Sequence, residues 1–159
     1  MALAHRLILD LVTRLQNTHA APAEGGPPFL ISEHLNITPE GAALVRSTLV
    51  ASANEGIDLS GGLTRSDGSA LVLTKLKGII VVVDADGGKA SLTQAAANGL
   101  VGLFTGASHG VFIDENDFFA WTSEDGIAIT AGTGDLLNIA EVGTVDSMTY
   151  RCLVWGDTT

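Results

Sequence analysis

Cysteine is almost absent from the chain. The single one, Cys152, allows no internal disulfide and no Cys-based zinc site. Basic residues are scarce too. Eight Lys and Arg stand against 18 Asp and Glu, for a net charge of −10, and only 16% of residues are charged. A nucleic-acid surface needs clustered Lys and Arg to neutralise phosphates, so no nucleic-acid partner is expected. Long apolar runs are missing. The longest, around Gly78–Val83, falls far short of the ~20 residues of a membrane-spanning helix, and no membrane partner is expected. The N-terminal apolar residues are interrupted by Arg6, Asp10 and Arg14, which is not the form of a secretory signal. Proline is confined to Pro22, Pro27, Pro28 and Pro39, and aromatics make up 5%. With 159 residues and 16.3 kDa there is room for one domain, or a domain and an arm, but not for a TIM barrel.

The charge that is present is unevenly placed. Residues 1–77 carry 6 basic and 7 acidic groups, whereas residues 78–159 carry 2 basic groups, Lys89 and Arg151, and 11 acidic ones. So acidic a half repels phosphate and anionic surfaces.

Along the chain, Leu3, Leu7, Ile8, Leu11, Val12 and Leu15 fall at helical spacing, and Asp10 can pair with Arg14 one turn on. This predicts a short amphipathic helix. The Leu/Ile/Val content also permits an extended segment. Residues 18–28 (THAAPAEGGPP) read as a linker, because Gly-Gly-Pro-Pro neither continues a helix nor pairs inside a sheet. The division expected is an N-terminal arm with its linker over residues 1–28, and a domain over residues 29–159.

From Phe29 the pattern is strand-like. Short apolar runs recur at Phe29–Ile37, Ala43–Ala51, Ala70–Asp84, Ala90–Thr93, Leu100–Phe104, Gly110–Ile113, Phe118–Thr122, Ile127–Thr130, Leu136–Ala140 and Ser147–Trp155. Turn signals such as Asp67-Gly68, Asn98-Gly99, Asp125-Gly126 and Thr133-Gly134 separate them. Many short strands with evenly spaced turns predict an all-β fold, a β-sandwich or jelly roll carrying a short N-terminal helical or extended arm.

Chemistry-bearing motifs are thin. Gly106-Ala107-Ser108-His109-Gly110 has the G-x-S-x-G form, but a strand-like Val111-Phe112-Ile113 follows where a hydrolase needs a helix. Asp84-Ala85-Asp86-Gly87-Gly88 lacks the third ligand and the closing Glu of a calcium loop and reads as a turn. Asp114–Asp117 and Glu124-Asp125 are dense in acid, which is ordinary for solvated loops. His5, His19, His34 and His109 show no metal-binding spacing. Cys152 lies in an alternating run with Tyr150 and Val154 on its own face, the setting of a buried thiol. No catalytic residue, cofactor or metal is expected, and the chain is read as a non-enzyme.

Several segments together carry a resemblance. They are Ala51–Gly62 (ASANEGIDLSGG) running into Leu63-Thr64, Asp67–Leu71, Leu76–Ile80, Ala95–Asn98, Trp121 ahead of Gly126–Thr130, Ala131–Leu137 (AGTGDLL) and Tyr150–Gly156. In this order they resemble small β-sandwich head proteins of tailed bacteriophages. The loop Ile113–Asp117 departs from that pattern, since related sequences tend to have Pro and Gly there. The resemblance implies a virion structural protein, a capsid decoration or cement protein on the outside of the head. Its implied partner is the major capsid protein and its implied state a homotrimer. The suspected interface is apolar and N-terminal: Leu3, Leu7, Ile8, Leu11, Val12, Leu15 and Phe29. The alternative is a receptor- or carbohydrate-binding jelly-roll module of a tail, fibre or head–tail component, which would use Phe118, Phe119 and Trp121 as its aromatic cluster.

Overall fold

The structure is a computed structural model, and it describes residues 7–14, 30–37, 41–65, 68–84, 88–106, 109–142 and 147–159. Those residues contain twelve strands and no helix, so the protein is all-β. The strands are β1 (Leu7–Arg14), β2 (Leu30–Ile37), β3 (Gly41–Val50), β4 (Asn54–Asp58), β5 (Leu63–Thr64), β6 (Ala70–Leu71), β7 (Leu73–Val83), β8 (Ala90–Gln94), β9 (Gly110–Ile113), β10 (Phe118–Ala128), β11 (Leu136–Glu141) and β12 (Ser147–Thr158). Every pairing between them is antiparallel.

The chain divides into two units, Met1–Pro39 and Glu40–Thr159. In the first, β1 and β2 form a two-stranded ladder in register from Leu7↔Ile37 to Arg14↔Leu30. The helix predicted over this segment is therefore corrected to a strand. Isolated helices shorter than ~12–15 residues are marginal, and β-branched Ile8, Val12 and Thr13 weaken this one further. Pairing with β2 gives the same backbone groups inter-strand partners. The segment Leu30–Ile37, expected to open the second domain, pairs with the arm instead. β1 and β2 thus belong to one compact unit, which ends at Pro39. Leu7, Ile8, Leu11 and Val12 lie on β1, while Leu3, Leu15 and Phe29 lie outside the described residues.

The second unit holds two four-stranded sheets and a small ribbon. One sheet has the order β10-β7-β12-β3, the other β4-β11-β8-β9, and β5 pairs with β6. The two long sheets share one apolar cluster. The first contributes Ile79, Val81, Val83, Tyr150, Cys152 and Val154, and the second Ile57, Leu92, Leu137 and Ile139. Period-2 alternation explains which residues are inside: along β11 buried positions alternate with half-buried ones, and β12 behaves alike up to Val154. The run Ile79–Val83 sits in central β7, flanked by β10 and β12, so its backbone is paired on both sides. Only alternate residues of it, Ile79, Val81 and Val83, are fully buried; Ile80 and Val82 face the other way and are half-buried.

Bulges and left-handed residues shape the edges. The β10–β7 register shifts between Thr122 and Ile127, where Gly126 adopts φ +72. Two expected strands, Phe118–Thr122 and Ile127–Thr130, are thus one interrupted strand. At the next turn Asn98 itself takes the left-handed conformation, at φ 54. The expected strand Leu100–Phe104 is a turn held by isolated bridges, Gly99↔Leu136 and Val101↔Phe104.

Candidate functional site

Three polar clusters of the second unit have defined geometry, one between the sheets and two on the turns and loops that join their strands. The first links the two sheets. Tyr150 on β12 is fully buried, and its hydroxyl donates to a Glu55 carboxylate oxygen on β4 at 2.8 Å. Burial and this hydrogen bond both hold the phenol above its ordinary ionisation range. Cys152, one alternation further along β12, is fully buried, and its thiol is pushed up to about 12, chiefly by desolvation. It is a neutral thiol at physiological pH, as expected for a buried small side chain and not for a nucleophile.

The second cluster joins two turns. The Ser60 hydroxyl lies 2.6 Å from Asp135 Oδ2 and 3.2 Å from Asp58 Oδ1, and with a single proton it serves the shorter contact. The Gly132 amide also donates to Asp135 Oδ2 at 2.6 Å, and the Leu59 amide to the Asp135 carbonyl at 3.0 Å. Hydrogen bonds from Ser60 and then Gly132 lower the Asp135 pKa against the opposing effect of burial. Asp135 is buried, and among the described residues its Oδ1 has no hydrogen-bond partner. The arrangement ties the turn after β4 to the turn before β11.

The third is at the surface. Lys89 pairs with Asp114 at 2.8 Å and lies 5.5 Å from the centroid of the exposed Phe112 ring. Among the described residues no group of three or more His, Cys, Asp or Glu gathers as around a metal ion. His109 meets the Thr105 hydroxyl through Nδ1. Ser108 of the G-x-S-x-G motif lies outside the described residues, and a strand, β9, starts at Gly110. Among the described residues no helix is long and apolar enough to cross a membrane.

The surface carries the feature that sequence reasoning missed. Large apolar side chains stand out at Leu44, Val50, Val101, Phe112, Phe118 and Val142, with Leu44 and Val50 each 65% exposed. One of them, Leu44, begins an apolar row across one sheet. Leu44 pairs with Leu153, Leu153 with Ile80, and Ile80 with Ala120, all away from the buried cluster. On the same outer face Trp155 lies over Gly78, which leaves no room for a Cβ there. The expected aromatic cluster is divided. Phe119 and Trp121 pack against the core, while Phe118 faces outward. No protein-family model, no curated protein and no solved structure matches the chain.

Proposed function

We propose that this protein is a non-enzymatic structural component of a phage virion. In this reading it decorates or cements the head from the outside, with the major capsid protein as its partner. The observation that carries the reading is the combination of an all-β scaffold with several large apolar side chains held in solvent, Leu44, Val50, Phe112 and Phe118 among them. Exposed apolar patches on a rigid scaffold mark protein–protein contact. The shared cluster between the two long sheets supports a β-sandwich of jelly-roll type.

The N-terminal unit supports attachment through the arm. A two-stranded ladder is marginal by itself in water and gains stability from a surface to pack on. In this reading the shell, or a neighbouring copy in a homotrimer, supplies that surface to the stretch containing Leu3, Leu7, Ile8, Leu11, Val12, Leu15 and Phe29. The acidic loops suit an outer face that never meets DNA.

The test is co-purification with virions, followed by counting copies by imaging. Hundreds of copies per particle support decoration. A dozen or fewer place the protein at the neck or tail, and none in purified particles removes the virion role. Removing residues 1–39 is expected to weaken attachment to heads while leaving the second unit folded.

A further inference from the structure

Four strands form the margins of the two long sheets: β10 and β3 on one, β4 and β9 on the other. A bare margin presents a row of unpaired N–H and C=O groups and invites pairing with another chain. Three of the four are blunted. β9 has only four residues, and β4 has five, with Glu55 and Asp58 among them. β10 is broken by its register shift, with Glu124 and Asp125 inside the break.

β3 has none of these protections. It runs for ten residues, GAALVRSTLV, with Arg46 as its one charge and no Lys, Pro or carboxylate. It pairs with β12 from Gly41↔Gly156 to Val50↔Ser147 without a register shift. On its other side no strand pairs with it among the described residues. Leu44, Thr48 and Val50 are exposed along it, and Leu44 continues into the apolar row of Leu153 and Ile80.

Charge selects the occupant. A chain of net charge −10 repels a second copy of itself wherever bare carboxylates meet. Among the described residues, carboxylates bordering this face are matched: Asp84 by Arg151 at 2.6 Å and Asp157 by Lys77 at 2.8 Å. Here two copies can bring these matched pairs, rather than bare acid, toward one another.

We propose that the β3 margin is an interface between copies of this chain, with a strand of a second copy extending the sheet beyond β3 and covering Leu44 and Val50. This deepens the self-assembly part of the reading above and requires neither a virion nor a shell protein.

The experiment uses the full chain. Light scattering coupled to size exclusion across a wide concentration range gives the mass, and hydrogen exchange reports on the β3 amides. The wild type is expected at a multiple of 16.3 kDa, with β3 protected. Leu44→Lys, Thr48→Lys and Val50→Lys are expected to give the 16.3 kDa monomer and to lose protection at the β3 amides facing away from β12, with those facing β12, circular dichroism and cooperative unfolding unchanged. If Leu44→Lys fails to fold, Thr48→Lys, at a solvent-facing threonine, carries the test. A wild type that is monomeric at every concentration overturns the proposal. So does an oligomer that survives the β3 lysines, or one dissociated only by Phe112→Lys or Val142→Lys. Virion counting separates the two readings. An oligomer held by β3 and missing from virions keeps the interface and removes the virion role; a virion-bound monomer does the reverse.

Discussion

The Tyr150 hydroxyl on β12 reaches across the core to Glu55 on β4 at 2.8 Å, so a single hydrogen bond ties one four-stranded sheet to the other. Its donor is fully buried, so the carboxylate has no rival for that proton. Tyr150→Phe is expected to cost about 1.5–3 kcal/mol, the range for a hydrogen bond to a charged group. Chemical denaturation of the two proteins measures it. A change within error would mean that Glu55 finds an equally good partner in water.

The alkaline limb of stability follows from Cys152. Its thiol is pushed up to about 12 from an ordinary 9.0, so the unfolded chain ionises first. The stability due to the neutral thiol is complete below pH 9 and is lost as pH rises from there towards 12. Denaturation at stepped pH should show wild type losing more over that window than Cys152→Ala. At neutral pH a thiol reagent should leave Cys152 unmodified until denaturant is added.

The acid limb follows from Asp135, with the opposite sign. Its folded pKa is lowered by Ser60 and Gly132, so its contribution is present above the unfolded carboxylate value and disappears as pH falls through the folded one. Ser60→Ala removes the larger cause. It is expected to lower stability at pH 7 by about 1 kcal/mol and to flatten the fall below the unfolded carboxylate value, seen in denaturation at stepped pH.

Gly78 faces the indole of Trp155 so closely that any Cβ would enter the ring. Gly78→Ala must displace the indole, at an expected cost of about 1–3 kcal/mol. Trp121→Phe leaves Trp155 as the only tryptophan, and in that background its emission should shift red when alanine is introduced.

Every residue described in the buried cluster lies within residues 40–159, so this segment expressed alone should keep its β-sheet dichroism and unfold cooperatively. Loss of the cooperative transition would show that the first 39 residues are part of its stability.

The all-β class is legible because Gly- and Asp-rich turns punctuate β-branched runs, as at Gly110–Ile113 and Leu136–Glu141. Three details are not. In LILDLVTR the helical and strand periods both fit, and only pairing with residues 30–37 decides. β4, NEGID, offers one buried apolar residue, Ile57, and so carries no periodic signal. The bulge in β10 uses the same Asp125-Gly126 chemistry as a turn. The exposed apolar positions were hidden for a related reason. Both faces of GAALVRSTLV are apolar, so alternation cannot say that Ala43 and Leu49 go inward while Leu44 and Val50 face water. The N-terminal residues named from the sequence belong to the other unit, and the attachment experiment tests their role.

β12 is the last strand in chain order, yet it lies inside its sheet, between β7 and β3. During synthesis β3 and β7 therefore emerge with no strand between them and must wait for Ser147–Thr158. Until then a nascent chain carries two half-finished ladders. Such distant pairings are slow to form, and many copies made at once would have open edges in reach of one another. Yield in the cell would then be governed by how fast Ser147–Thr158 are delivered, and slowing translation just before codon 147 should increase aggregation more than the same pause placed before codon 73, when β7 is still unmade.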